Sequence, residues 1–361
     1  MKSFSRDQRV DFELKKDWWG FKVPQMKNIH NAETLVFRII PDTTLAYEKF
    51  VKGDLDVIEM DAEMFGNRVK GVDKDKFADK TGSNKTVWAK QYETSAPASY
   101  TYIGWNQKNP IFKSRETRRG LANLIDYNQI NDKIYYGLFQ RCVSPFGSNT
   151  PNTDPALRQK GNRFDYDLKK GLATLKADGW ADTDGDNVLD KVIDGKKTKF
   201  EFTVRYNSEN PMRAKISQLL KEDFKKAGIT MNVQSMEFNA LLTELDKRNF
   251  DAVIMGWGRG NLNADANQIW NTVSEKNQGS NMVSYSNPKV DELIAESMKE
   301  LNTQKRFKIL KKLSKLIYED QPYGFLVEQQ GFFSGYQNKV KASRWAMKYD
   351  DTPPIWLYSA E

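Results

Sequence analysis

Directly after the apolar run FDAVIMGWG at 250–258 the chain reads RGNLNADANQIW. A buried strand followed by a polar loop sets that loop at the strand's carboxyl end, the edge at which α/β sheets bind ligands. Trp257 offers a flat apolar surface, and Arg259 offers a planar fork of donors that matches a carboxylate. Asn263 and Asp265 add an amide and a carboxylate nearby. Together these groups suit reversible recognition of a small polar ligand by stacking and hydrogen bonding. The same stretch also reads as a core tryptophan followed by a surface loop. Trp105 and Asn106, at the end of the strand-like SYTYIGWN, form a second pair that either lines a ligand cleft or packs a hinge.

Metal chemistry has one candidate. DTDGDNVLD sets Asp182, Asp184, Asp186 and Asp190 at the first, third, fifth and ninth positions of an oxygen-rich calcium loop. The sixth position is Asn187 instead of glycine, and the twelfth is Ile193 where a bidentate glutamate belongs. An aspartate-rich turn explains the motif equally well, so no cofactor is expected, structural calcium at this loop being the one candidate. The single Cys142 excludes an internal disulfide and reads as a small buried hydrophobe. The single His30, in the polar connector KNIHNAET, excludes a histidine metal cluster and leaves one imidazole for acid–base work. No GxSxG elbow, HExxH helix, P-loop or GxGxxG turn follows a strand, so no catalytic residue is assigned. A glycoside hydrolase, which needs two carboxyls at a defined separation, remains open on composition alone.

The elements that must position these groups are legible from periodicity. At 361 residues and 39% hydrophobic content the chain supports two or three domains. No apolar run approaches the roughly eighteen residues of a membrane-spanning helix, and MKSFSRDQRVDFELKK has no apolar signal region. The 56 basic and 48 acidic residues are interspersed, so the surplus of +8 does not describe a nucleic-acid face. In KRFKILKKLSK, residues Phe307, Leu310, Leu313 and Ile317 fall at helical spacing, which makes the lysines the solvated side of an amphipathic helix.

Residues 33–60 read as a compact β-α-β element, with Asp42 as N-cap and Gly53 as stop. From 199 to 258 strands and helices alternate, which implies parallel pairing, and a helical stretch precedes them. Pro288, after Asn287, opens a helix, and a second helix covers about 303–318. The end of the chain is strand-like and aromatic.

Several segments, taken in order, resemble the family 5 extracytoplasmic solute-binding proteins, the oligopeptide, dipeptide and nickel-binding class of ABC importers. FELKKDWWG is similar to an acidic-aromatic stretch of that family, and RIIPDTTLAYEKFVKGDLDVI to its helix-strand unit. YIGWNQKNPIFKSRETRRGLANLID resembles its central signature, with Asn106, Phe112, Arg118 and Asp126 in register. DGWADTDGDNVLD, KAGITMNVQSMEFNALLTEL, FDAVIMGWG, YSNPKVDELI and EDQPYGFLV match later landmarks.

The resemblance implies an α/β, two-lobed periplasmic-binding-protein type II-like fold, lacking the first part of the base lobe and a small extra domain. It implies residues 1–100 in the base lobe, 101–318 in a second ligand-binding lobe with a helical insert, and 319–361 returning to the base. It also implies a non-enzymatic role: a monomer outside the cytoplasm binds a peptide or peptide-like solute in an interlobe cleft and presents it to ABC permease subunits. A peptide-holding chaperone or sensor subunit would share the fold. Peptide-binding relatives commonly carry an aspartate three residues after the tryptophan, for the ligand's amino group. Here that position is Gly260, and Asp265 is the nearest substitute. Arg118, beside Glu116 and Asp126, is expected to make a structural ion pair.

Overall fold

The computed structural model describes residues 1–6, 8–24, 32–68, 77–78, 86–93, 99–159, 161–258, 265–276, 279–329, 331–337, 340–342 and 357–359. The chain divides into a smaller unit, Met1–Ala98 with Gln330–Glu361, and a larger unit, Ser99–Gln329.

In the smaller unit β1 (Ser3–Ser5), β2 (Arg9–Glu13) and β3 (Thr34–Arg38) form an antiparallel meander. Helix α1 (Thr43–Lys52) starts where Asp42 Oδ1 accepts the Thr44 and Leu45 amides at 2.8 and 3.0 Å, and stops at Gly53 with φ of 87°. After it come β4 (Val57–Met60), α2 (Ala62–Arg68), β5 (Phe77–Ala78) and β6 (Thr86–Glu93). The late strand β15 (Gly331–Gln337) pairs antiparallel with both β4 and β6. Gly335 makes this packing feasible, because a Cβ there would lie 2.7 Å from Met60 Cε and 2.9 Å from Phe50 Cε1. The final strands β16 (Val340–Ala342) and β17 (Leu357–Ser359) pair with each other.

Residues 33–60 are therefore not a parallel β-α-β unit. Among the described residues β3 pairs within the meander, and β4 joins a different sheet through β15. The helix and its caps are as the sequence implies. Pairing was decided by strands remote in the chain, which local periodicity does not encode.

The larger unit opens with β7 (Ser99–Trp105), α3 (Pro110–Lys113), α4 (Arg115–Asn123), α5 (Tyr127–Ile134), β8 (Gln140–Arg141) and α6 (Leu168–Ala177). The hairpin of β9 (Asp190–Ile193) and β10 (Lys196–Lys199) precedes β11 (Glu201–Asn207), α7 (Pro211–Lys226), β12 (Thr230–Met236), α8 (Phe238–Asp246) and β13 (Ala252–Gly258). α9 (Asn267–Trp270), α10 (Thr272–Lys276), α11 (Pro288–Lys299), α12 (Thr303–Asp320) and β14 (Tyr323–Gln329) complete it.

Its sheet has the order β12-β11-β13-β7-β14-β8. β11 runs parallel to β12 and β13, as alternation of strands and helices implies, while β7, β14 and β8 are antiparallel to their neighbours. One face buries Trp105, Phe112, Phe202 and Phe224 in an aromatic cluster with α7. The other stacks Tyr102 on Tyr323 with ring centroids 3.8 Å apart, surrounded by Trp270, Phe325 and the apolar sides of α11 and α12.

The boundary placed at 318/319 falls inside α12. Residues 319–329 stay in the larger unit because β14 hydrogen-bonds along β7 from Tyr323–Gly104 to Gln329–Ser99. The chain returns to the smaller unit only after that strand ends.

Candidate functional site

β11, β12 and β13 lie parallel, so Asn207, Met236 and Gly258 share the carboxyl end of the sheet. Trp257 sits there, opposite Tyr100 in the ladder. It is half-buried, packs against the tyrosine-rich core, and points its indole N–H at the Tyr323 hydroxyl, 3.4 Å away. Burial pushes the Tyr323 hydroxyl up to about 12, with the Trp257 contact opposing, so it stays a neutral donor and acceptor at physiological pH. The indole is thus held from behind while part of its surface remains accessible. Trp257 is therefore partly a core residue, with the rest of its surface left open.

Arg213 is the residue that sequence reasoning missed. Asn210 caps α7 by accepting the Arg213 amide at 3.1 Å, which fixes this arginine in the helix's first turn at the same sheet edge. Its Nη1 donates to Asn207 Oδ1 and touches Met255 Sδ at 3.3 Å. Its Nη2 lies 3.3 Å from where a Cβ on Gly256 would be, next to Trp257 in the chain. Such a Cβ would also lie 2.9 Å from the Tyr100 carbonyl, so glycine at 256 is what lets the guanidinium approach. Among the described residues no carboxylate pairs with Arg213. Burial lowers its pKa from the ordinary guanidinium value, opposed by Tyr102 and Tyr135, yet it remains a cation. A half-buried cation without an acidic partner is poised for an external carboxylate or carbonyl. The available signal was an arginine three residues after a helix-capping asparagine at the end of a parallel strand.

Trp105 and Asn106 do not join this site. The antiparallel register sets Trp105 opposite Ala252, five ladder positions from the Trp257–Tyr100 pair, or roughly 17 Å along the strand. Trp105 is fully buried in the aromatic cluster. The Asn106 amide donates to the carbonyls of Arg248 and Phe250 at 3.1 and 2.6 Å and accepts the Lys108 amide, so it ties β7 to the start of β13. Both residues pack the fold. Asp265 is exposed and its Oδ1 accepts the Asn267 amide at 2.8 Å, opening α9. Arg259, Gly260 and Asn263, like His30, lie outside the described residues.

In the aspartate loop, ligand oxygens of Asp182, Asp184 and Asp190 lie within 4.8 Å of one another. Asp182 is engaged by the Gly185 and Asn187 amides at 2.7 and 3.0 Å. From the β9–β10 hairpin Lys197 reaches Asp184 at 2.9 Å and Asp190 at 3.3 Å, while Lys199 pairs with Asp186. The hairpin therefore brings its own cations to the carboxylates that a calcium ion would use.

Arg118 is buried, but its partners are carbonyls instead of Glu116 or Asp126. Nη1 donates to Phe112 and Lys113 at 2.7 and 3.1 Å, and Nε donates to Asp320 O at 3.1 Å. Burial draws its pKa down to about 10, with Asp320 opposing. It clamps α3 to the end of α12. Cys142 is buried with its thiol donating to Ser144 O at 3.3 Å.

Residues 1–280 match the sequence profile of the bacterial extracellular solute-binding proteins, family 5. The chain belongs to this family. The oligopeptide-binding protein AppA of Bacillus subtilis is 32% identical over 300 residues, covering 81% of this chain and 50% of its own length. The solved structure of that protein with a nonapeptide matches with a TM-score of 0.76 at 26% identity, over 100% of this chain and 66% of that one. NikZ of Campylobacter jejuni, solved with Ni(L-His), matches at TM-score 0.72 and 19% identity over 94% of this chain and 62% of that one, a likeness of fold. The two-lobed α/β type II binding-protein fold is thus the architecture of these relatives. This family 5 chain spans about half the length of AppA.

Proposed function

We propose that this chain binds a peptide or peptide-like solute reversibly, as the solute-binding component of an ABC importer working outside the cytoplasm. Trp257 supplies an apolar platform and Arg213 a charge-assisted donor for a carboxylate or peptide carbonyl. Arg259, Asn263 and Asp265 are the further candidates on the loop that follows Trp257. The observation that carries this reading is Arg213, a half-buried guanidinium at the carboxyl edge of the parallel strands with no carboxylate partner among the described residues. A solute carboxylate would complete its hydrogen bonding without an internal acid having to be displaced.

No bond is made or broken in this role. The molecule acts as a monomer, and its partners are the permease subunits that accept the solute. The nonapeptide held by the similar AppA supports the ligand class. The test is titration calorimetry with a mixed-sequence pentapeptide pool. Saturable heat that is lost in Arg213→Met supports the reading, and equal heat from both proteins contradicts it.

A further inference from the structure

A second cavity lies wholly within the larger unit. It is open, about 1060 Å3, and is lined by α5 from its cap Asp126 to Lys133, by β8 and by described residues between Val143 and Tyr166. Neither Trp257 nor Arg213 contributes to its wall.

Its charges cancel. Asp126, Asp132 and Asp165 face Lys133, Arg141 and Arg158, so neither a simple anion nor a simple cation is favoured by net charge. Half of what remains is amide: Asn128, Gln129, Gln140, Asn149, Gln159 and Asn162 all reach the wall. An amide donates and accepts at once, as a hydroxyl group does.

Part of the lining is held in place. The fully buried Glu328 accepts from Gln140 Nε2, Gln140 Oε1 accepts from Asn149 Nδ2 at 3.0 Å, and Asn149 Oδ1 accepts from Arg158 Nη1 at 2.6 Å. The Arg141 guanidinium lies 4.1 Å over the Tyr127 ring, and its Nε is buried without a hydrogen-bond partner. Tyr166, 41% exposed, adds an accessible aromatic face to the apolar part of the wall, which Val143, Pro155 and Leu157 share.

We infer that this cavity is a binding site for a neutral saccharide. A sugar ring has an apolar C–H face for Tyr166 and a rim of hydroxyls for the amide relay, and its lack of charge matches the balanced wall. The site is independent of the solute site at Trp257. The experiment is saturation-transfer NMR, with titration, of the full chain against maltotriose and triacetylchitotriose. Saturable binding of one of them is expected, weakened about tenfold or more by Tyr166→Ala and retained by Trp257→Ala. Circular dichroism of Tyr166→Ala confirms folding, and Arg158→Ala serves as the second variant because it cuts the relay at its exposed end. The inference is overturned if neither sugar binds, if both cavity variants bind like the parent, or if binding disappears in Trp257→Ala.

Discussion

The Trp257 indole N–H and the Tyr323 hydroxyl lie 3.4 Å apart, joining the exit end of β13 to the first residue of β14 across β7. Tyr323 is itself stacked on Tyr102, so the accessible tryptophan is backed by a rigid, buried aromatic pair. Trp257→Ala should weaken peptide binding by about tenfold or more, because well-packed aromatic anchors carry a disproportionate share of affinity. Tyr323→Phe, which removes the hydroxyl and keeps the stack, should cost only a few-fold. Calorimetric titration of the two variants checks the order, and equal losses would contradict the division of roles.

Trp105 gives the opposite pattern. It is fully buried among Phe112, Phe202 and Phe224, remote from Trp257 in the ladder. Trp105→Ala should destabilise the larger unit by about 3–5 kcal/mol through lost burial and a residual cavity. Peptide affinity should be unchanged under conditions where the variant is folded. Urea unfolding and titration on the same sample separate the two effects.

Arg118 holds three carbonyls, those of Phe112, Lys113 and Asp320, with one guanidinium. Arg118→Lys should still destabilise, by about 2–3 kcal/mol, because an ammonium cannot span α3 and the end of α12 together. Recovery of parental stability in the lysine variant, measured by denaturant midpoint, would show that charge alone suffices.

The aspartate loop predicts a signed pH dependence. Thr183 hydrogen bonds hold the Asp190 carboxyl below its usual value, and Lys199 does the same for Asp186. Carboxylates depressed by folding stabilise the native state above the unfolded value of about 4 and lose that contribution as pH falls through the folded value. The lysines are shifted upward, Lys197 chiefly by Asp184 and Lys199 by Asp186. Their contribution is complete below the unfolded lysine value of about 10.4 and is lost as pH rises past the folded value. Amide exchange of Asp190 and Ala181, which bond to each other across the loop, should therefore accelerate at both extremes. Lys197→Met should lower the melting temperature, and calcium chloride should restore more stability to this variant than to the parent. An equal calcium response would mean that Lys197 does not stand in the cation's place.

Much of the fold was legible because its signals are local. Asn287 and Pro288 open α11, Asp42 and Gly53 bound α1, and Leu310, Leu313 and Ile317 mark the buried side of α12. Pairing across distance was not. β3 and β4 flank one helix yet enter different sheets, and β14 extends the larger unit past the expected boundary, because register depends on partners far along the chain. The site was half legible for the same reason. Trp257 follows a long apolar strand and could be placed at its end, whereas Trp105 could be read as lining a cleft or as packing, and the antiparallel register of β7 sets it at the opposite edge. Arg213 was hidden among the many basic residues of an amphipathic helix, and only its capped position and its lack of an acidic partner among the described residues single it out.

The central claim is that Arg213 and Trp257 hold a peptide-like solute. Native mass spectrometry of the protein purified without denaturation weighs that solute directly. A non-covalent adduct of peptide-like mass is expected on the parent, retained in Trp105→Phe and lost in both Trp257→Ala and Arg213→Met. Persistence of the same adduct in the Arg213 and Trp257 variants, or a parent that stays bare after incubation with the pentapeptide pool, would contradict it.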